Sequence, residues 1–567
     1  MPIVTALLAA LLAPPAAPPD LLSHAALEER LRAVTAANPE RARLTAIGRS
    51  REGRPIFALR LTSGAGEPPA GRPAILVVAN ADGPEVFSSG VALFLAESIA
   101  SGAGDARIDG FLDRATLLVV PRANPDAAEA RFATPLAEVE ATGRGVDDDR
   151  DRREGEDPPG DVDGDGVVAW MRWPDPKGEW IEDPADPRAL VRADAAKGER
   201  GRYRLSVEGR DRDRDERVAE DAEKNAIVNR NFPHGWTEHA DDAGRYPLDE
   251  PEGKALADFV IAHPEIALVL AYGALDTLVE KPKSVKEDAP PQKRVPQPGV
   301  IEPDANVLAE IGRRYAEITG QKTKGRRADD GGSFPAWTYQ HRSILTLAAT
   351  LWDVPLDPDA KKPPPVPEGE SPKEAPQKPK EKDEPKPSDD AKRLRWIDSS
   401  GESWRFRPWT PFEHPELGAV EIGGFAPYAR VEPPDAERAG IASKQLDFVL
   451  SLGDVLARVE IASATAKDLG GGLFEIEAAI ENEGLVPAPT SSGRRTRVPR
   501  PIAVRLALPD GASLVAGNAL ELVRELGGTG ARREFRWLVR GPSADGIAVS
   551  IDSDYAGKSE ARVEVVR

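Results

Sequence analysis

The run Ala74-Ile75-Leu76-Val77-Val78-Ala79 carries no polar side chain, so it cannot lie open to water and reads as a buried strand. It ends in a short corner, Asp82-Gly83-Pro84-Glu85. An apolar-rich segment over 91–99 follows and reads as a helix capped by Ser88-Ser89. The same alternation recurs along the first two thirds of the chain. Residues 24–36 have helical spacing, 55–62, 115–120, 266–272 and 343–351 read as strands, and 252–262 and 305–318 read as helices. Strands alternating with helices predict an α/β domain with a mainly parallel or mixed sheet, and such sheets place ligands beyond the carboxyl ends of their strands. In that geometry the corner aims Asp82 and Glu85 at a common point.

The 567 residues are enough for two or more domains, and 40% hydrophobic content permits globular folding. Charged residues at 30% and 54 prolines point to solvated loops or a linker. They concentrate at 354–394, a Pro, Lys, Glu and Asp stretch that cannot bury a core and reads as a spacer. Order is expected to resume at Arg395-Trp396, with a helix over 444–459. From 461 the pattern changes to alternating runs at 473–480, 502–508, 534–539 and 547–551, which predicts a small antiparallel β-sandwich. A net charge of −20 without a basic segment argues against nucleic acid as a partner. The chain has no cysteine, which excludes disulfides and thiolate metal sites. An apolar stretch over 3–13, followed by small residues and prolines, reads as a secretory signal within 1–19 and predicts a secreted or periplasmic protein. It is too short to span a bilayer, and nothing later reads as transmembrane.

Residues 140–225 read as acidic loops. Asp161, Asp163 and Asp165 alternate with a glycine for the turn, as calcium loops do. Asp147, Asp149 and Asp151, and again Asp211, Asp213 and Asp215, repeat the spacing without that glycine, so a solvated acidic loop is an equal reading there.

Asn229-Arg230-Asn231-Phe232 sets an arginine fork beside an amide in one tight turn, a pairing suited to a carboxylate. With this turn in place the sequence resembles the M14 zinc carboxypeptidases. The matching segments are Ile47-Gly48-Arg49, Pro121-Arg122-Ala123-Asn124-Pro125-Asp126, Asn229-Arg230-Asn231-Phe232, Trp337-Thr338-Tyr339, Leu351-Trp352-Asp353 and Val420-Glu421-Ile422-Gly423-Gly424. The resemblance covers about 24–353 and resumes over 395–459, with a sandwich from 460 to 567. It implies a zinc-carboxypeptidase-like domain in which Asn229 and Arg230 hold the terminal carboxylate of a peptide or protein, and Tyr339 caps the substrate.

The metal chemistry that the resemblance implies departs from the family at four positions. Glu85 matches the glutamate of the first ligand pair, but Asp82 stands where a histidine belongs. Gly273 stands at the third ligand, Thr350 at the catalytic glutamate, and Ile227 at an acid that orients the first histidine. A catalytic zinc needs three protein ligands and a base for its water, and threonine is no base near neutral pH. The expectation is a pseudo-peptidase that still recognises a C-terminal carboxylate. One alternative is an active enzyme with Asp82, Glu85 and a relocated histidine on zinc, for which His234, His239 and His341 are candidates. A second is a structural surface protein. His24, His263 and His414 read as structural.

Overall fold

The computed structural model describes residues 20–64, 69, 71–144, 155–212, 214, 217–220, 225–287, 296–356 and 386–566. The signal reading at 1–19 and the greater part of the proline-rich stretch lie outside them.

The first domain is organised by a six-stranded mixed sheet whose spatial order is Ala42–Arg49, Pro55–Leu61, Thr116–Val120, Ala74–Ala79, Ile266–Tyr272 and Leu345–Ala349. The last four strands run parallel, and the first two add an antiparallel hairpin at one edge. Alternate residues feed two separate cores. Ile75, Val77, Leu117, Val119, Leu268 and Leu270 pack against the helices His24–Ala37, Val86–Ser101 and Glu302–Thr319. Leu76, Val78, Leu118, Val120 and Val269 pack on the other face against Pro251–Ala262 and Phe334–Arg342. A strand covered on both faces must be apolar at every position, which is why Ala74–Ala79 is unbroken. Each fully buried Leu or Val in it contributes about 1.5–3 kcal/mol.

Four expectations need correction. Ser88 and Ser89 are not a cap: the helix begins at Val86, and the Ser88 hydroxyl instead donates to the Glu85 carbonyl at 2.6 Å and accepts the Asn80 amide at 3.0 Å. The acidic region is more than loops. Trp170–Pro174, Trp180–Asp183, Asp186–Arg192 and Tyr203–Val207 join Phe406–His414 and Gly418–Phe425 in a second six-stranded sheet, antiparallel throughout. Its strands lack a clean apolar alternation because arginines stack on aromatics there: Arg172 lies 4.9 Å from the Tyr203 ring centre and 4.6 Å from that of Trp409. Finally, a helix over Asp389–Ser400 begins inside the stretch read as spacer, and the later helix spans Asp435–Ser451, so that residue 459 already starts a strand.

The C-terminal region consists of a five-stranded and a four-stranded sheet, antiparallel except where Val459–Gly470 pairs with Glu564–Val566. They enclose Ile476, Ile480, Val504, Trp537, Val549 and Ile551, as a β-sandwich does. A short helix, Ser491–Thr496, ties this region to the first domain. Thr490 donates to the Ser343 carbonyl, Ser492 donates to the Tyr339 carbonyl, and the Ser491 and Ser492 amides donate to Asp304.

Candidate functional site

The carboxyl ends of the four parallel strands bring together Asn80 to Glu85, Gly273 and Thr350, the positions expected to hold a metal site. Asn80 takes a left-handed conformation (φ 56°) and donates its side-chain amide to the Asp82 and Gly83 carbonyls, which fixes the corner. Asn124 caps its own short helix by accepting from the Ala127 amide. Gly83 is required here, since a Cβ on it would stand 2.5 Å from the Val139 carbonyl oxygen.

Asp82 is 2% exposed and its two oxygens are fully engaged. The Asn229 side-chain amide donates to both at 3.0 Å, the Ala274 amide donates at 2.8 Å, and Arg327 Nη1 donates at 3.3 Å. Glu85, 4% exposed, forms an ion pair with Arg326. Arg326 also donates to the Trp352 carbonyl at 2.7 Å, and Arg327 to the Asn229 carbonyl at 3.1 Å. Burial draws the Arg326 guanidinium down to about 10, which leaves it charged at neutral pH. Two carboxylates thus face two guanidiniums where the family would place a divalent cation. Asp353 extends the network, accepting from Arg393 at 3.1 Å and Arg430 at 3.2 Å.

The remaining departures fit the same arrangement. A Cβ on Gly273 would stand 2.3 Å from Asp82 Oδ2, so the Asp82 carboxylate fills the space in which a side chain at 273 would start. Thr350 is buried and donates its hydroxyl to the Gly273 carbonyl at 2.8 Å. The space left beside Asp82 is a cavity of about 10 Å³ lined by Val78, Ala271, Phe334 and Ala348. That is room for about one water. These residues do not fit zinc: Asp82 has no lone pair to spare, Glu85 is neutralised, and Gly273 and Thr350 offer no soft or charged donor.

Arg326 and Arg327 escaped the sequence reading. They lie in a loop of the Lys324-Gly325-Arg326-Arg327 type that looks like a solvated basic turn, and only the close approach allowed by Gly325 sets it against the site. A Cβ at 325 would stand 2.8 Å from the Asp276 amide, and the Arg327 amide bonds the Ala274 carbonyl at 3.0 Å. The one available signal was charge balance, since a buried Asp82 and Glu85 without a metal require cations.

Of the three residues expected to bind substrate, Asn229 is committed to Asp82, and its side-chain Oδ1 accepts the Phe334 amide. Tyr339 faces inward: it is 4% exposed, donates its hydroxyl to Asp304 at 2.7 Å and accepts the Ile301 amide. Arg230 sits nearer the surface and pairs with Asp242 at 3.0 Å and with the exposed Asp329 at 2.8 Å. The Ile227 side chain offers no acceptor, and its main-chain carbonyl accepts the Arg230 amide at 2.9 Å. His234 and His341 meet each other with ring centres 5.5 Å apart, and His239 is almost fully exposed. Among the described residues no histidine joins Asp82 and Glu85 in a metal-sized group. His414 is structural, bonding the Gly209 carbonyl through Nε2 and accepting two amides at Nδ1.

Among the described residues, Asp161, Asp163 and Glu208 bring ligand atoms within 4.8 Å of one another. Glu208, which the calcium-loop reading missed, accepts the Val162, Asp163 and Ala169 amides, and Asp161 accepts those of Gly164, Asp165 and Gly166. Asp165 turns away to Arg407. Asp211 is half-buried with its amide on Glu416, while Asp147, Asp149, Asp151, Asp213 and Asp215 lie outside the described residues.

A family model described as zinc carboxypeptidase (peptidase M14) matches residues 27–167, and one described as a domain of unknown function (DUF8731) matches 458–564. The chain is 41% identical to mouse carboxypeptidase D over 122 residues, 19% of this chain and 9% of that protein. It is 32% identical to Caenorhabditis elegans carboxypeptidase E over 136 residues, 23% of this chain and 29% of that one. A solved structure of bovine thrombin-activatable fibrinolysis inhibitor, in complex with tick carboxypeptidase inhibitor, is similar at 12% identity and a TM-score of 0.37, covering 77% of this chain and 97% of that chain. The chain therefore spans under a third of the length of these two curated relatives.

Proposed function

We propose, from the match of residues 27–167 to the zinc carboxypeptidase (M14) family model, that this chain is a pseudo-peptidase. In this reading two arginines hold the ground that a metal holds in active members. The observation that carries it is the pairing of Asp82 with Arg327 and of Glu85 with Arg326 at the strand ends. Peptide-bond hydrolysis requires a polarised carbonyl and a water whose proton has an acceptor. Neither Thr350, bound to a main-chain carbonyl, nor the neutralised Glu85 supplies that acceptor.

Recognition of a C-terminal carboxylate narrows to Arg230 in this reading. The ligand carboxylate would replace Asp329, whose side chain is 71% exposed and exchanges at little cost. The protein then works as a binding module exported from the cytoplasm, a location that follows from the apolar run near its N-terminus and is checked by cell fractionation. Elemental analysis of protein purified with added zinc, together with a C-terminal release assay on a broad peptide panel, tests the proposal. Substoichiometric zinc and no release are expected. Stoichiometric zinc with chelator-sensitive release refutes it and favours the active alternative. Peptide affinity that survives Arg230→Ala would remove the recognition element while leaving the loss of hydrolysis intact.

A further inference from the structure

At the opposite end of the central sheet from Asp82, a cavity of about 280 Å³ opens between the first domain and the sandwich. It lies beside the amino ends of the strands Ile266–Tyr272 and Leu345–Ala349, roughly 20 Å from the carboxyl ends by strand length. Its volume is close to the lower bound of about 300 Å³ for small-molecule sites, and such sites favour domain interfaces. Val260, Ile266 and Ile344 form one wall, and Val486, Pro489 and Tyr555 form the other.

Arg342, the last residue of the helix Phe334–Arg342, enters this cavity. Among the described residues it has no carboxylate and no hydrogen-bond acceptor, and its Nε is shielded from solvent without a partner. Desolvation alone lowers its affinity for a proton, with no acid beside it to oppose the effect. The other charged groups of the lining are already balanced. His263 bonds Glu265 at 2.7 Å, and Arg500 lies 3.6 Å from Asp554. A half-buried guanidinium against apolar walls is costly unless an anion completes it, and its planar fork matches a carboxylate.

We propose that this cavity binds a small apolar monocarboxylate, with the carboxylate on Arg342 and the hydrocarbon body between Ile344, Val486 and Tyr555. The apolar walls account for the body and the unpaired cation for the head group. Inorganic phosphate, which has only the charge, is expected to bind far more weakly. The site is separate from the Arg230 cleft and does not depend on the pseudo-peptidase reading.

Titration calorimetry on the full chain tests it, with octanoate and phenylacetate as ligands and octanamide, phenylacetamide and inorganic phosphate as controls. Saturable one-to-one binding of at least one carboxylate is expected. Loss of the charged hydrogen bonds should weaken binding by about ten- to a hundredfold for the amide, and as much in Arg342→Gln. If Arg342→Gln fails to fold, Ala267→Phe fills the cavity with the arginine intact and should abolish binding. No saturable binding of either carboxylate overturns the proposal. So does binding that is kept when Arg342 is replaced and lost in Arg230→Ala, which would assign the carboxylate to the other cleft.

Discussion

Gly273→Ala adds one carbon at the place where the structure has least room for it. The new Cβ would lie 2.3 Å from Asp82 Oδ2, against 3.4 Å or more for ordinary contact. Asp82 cannot swing away freely, because the same oxygen accepts the Ala274 amide at 2.8 Å and Asn229 at 3.0 Å. Overpacking of a dense interior costs about 1–3 kcal/mol. Loss of one hydrogen bond to a charged group adds about 1.5–3 kcal/mol. Gly273→Ala should therefore destabilise the first domain by about 3–5 kcal/mol, a large share of a domain's total stability. Its φ is not positive, so backbone strain makes no contribution. Asp82→Ala removes the obstacle and leaves Arg327 and Asn229 short of a partner, which carries its own penalty. In that background Gly273→Ala should cost less than about 1 kcal/mol, because the space is then open. Urea denaturation of the four proteins of this cycle, followed by far-UV circular dichroism, measures a coupling of about 2 kcal/mol or more. Additivity to within about 0.5 kcal/mol would refute the claim that Asp82 occupies the space in which a side chain at 273 would start.

Three further outcomes are expected. Arg326→Met leaves Glu85 charged and buried and should destabilise the protein by about 3–5 kcal/mol in the same denaturation assay, whereas an unchanged midpoint would mean the pair is not formed. Tyr339→Phe removes the hydroxyl between Asp304 and the Ile301 amide, and should cost about 1–3 kcal/mol; a tyrosine that caps substrate would be lost with no effect on stability. Glu252 is fully buried, one of its oxygens has no partner, and burial pushes its carboxyl up from 4.5 to about 7. The folded state thus holds a proton that the unfolded chain has lost, so stability present below pH 4.5 is lost as pH rises through 7. Glu252→Gln should therefore gain up to about 3 kcal/mol at about pH 8 relative to about pH 5 in calorimetric melts, and an unchanged pH slope would contradict this.

The sequence by itself determined the α/β core, because its strands are covered on both faces and must be apolar at every position, as Ala74–Ala79 and Ile266–Tyr272 are. It determined the sandwich as well, since Leu473–Asn482 and Ala531–Arg540 alternate as half-buried strands do. Asp82, Gly273 and Thr350 were legible as departures because each sits next to a recognisable strand end. Local pattern carries no information about partners far along the chain, and the second sheet shows this: it joins 170–207 to 406–425 through arginine–aromatic stacks that break the apolar period. Only the tertiary structure decided what faces the two carboxylates at the strand ends. The cations on Asp82 and Glu85 come from Arg327 and Arg326, more than two hundred residues away and in a segment whose composition reads as solvated. It also decided that Asn229 and Tyr339 face inward, since which way a side chain turns depends on the acceptors that folding brings near. For Asn229 that acceptor is Asp82, and for Tyr339 it is Asp304.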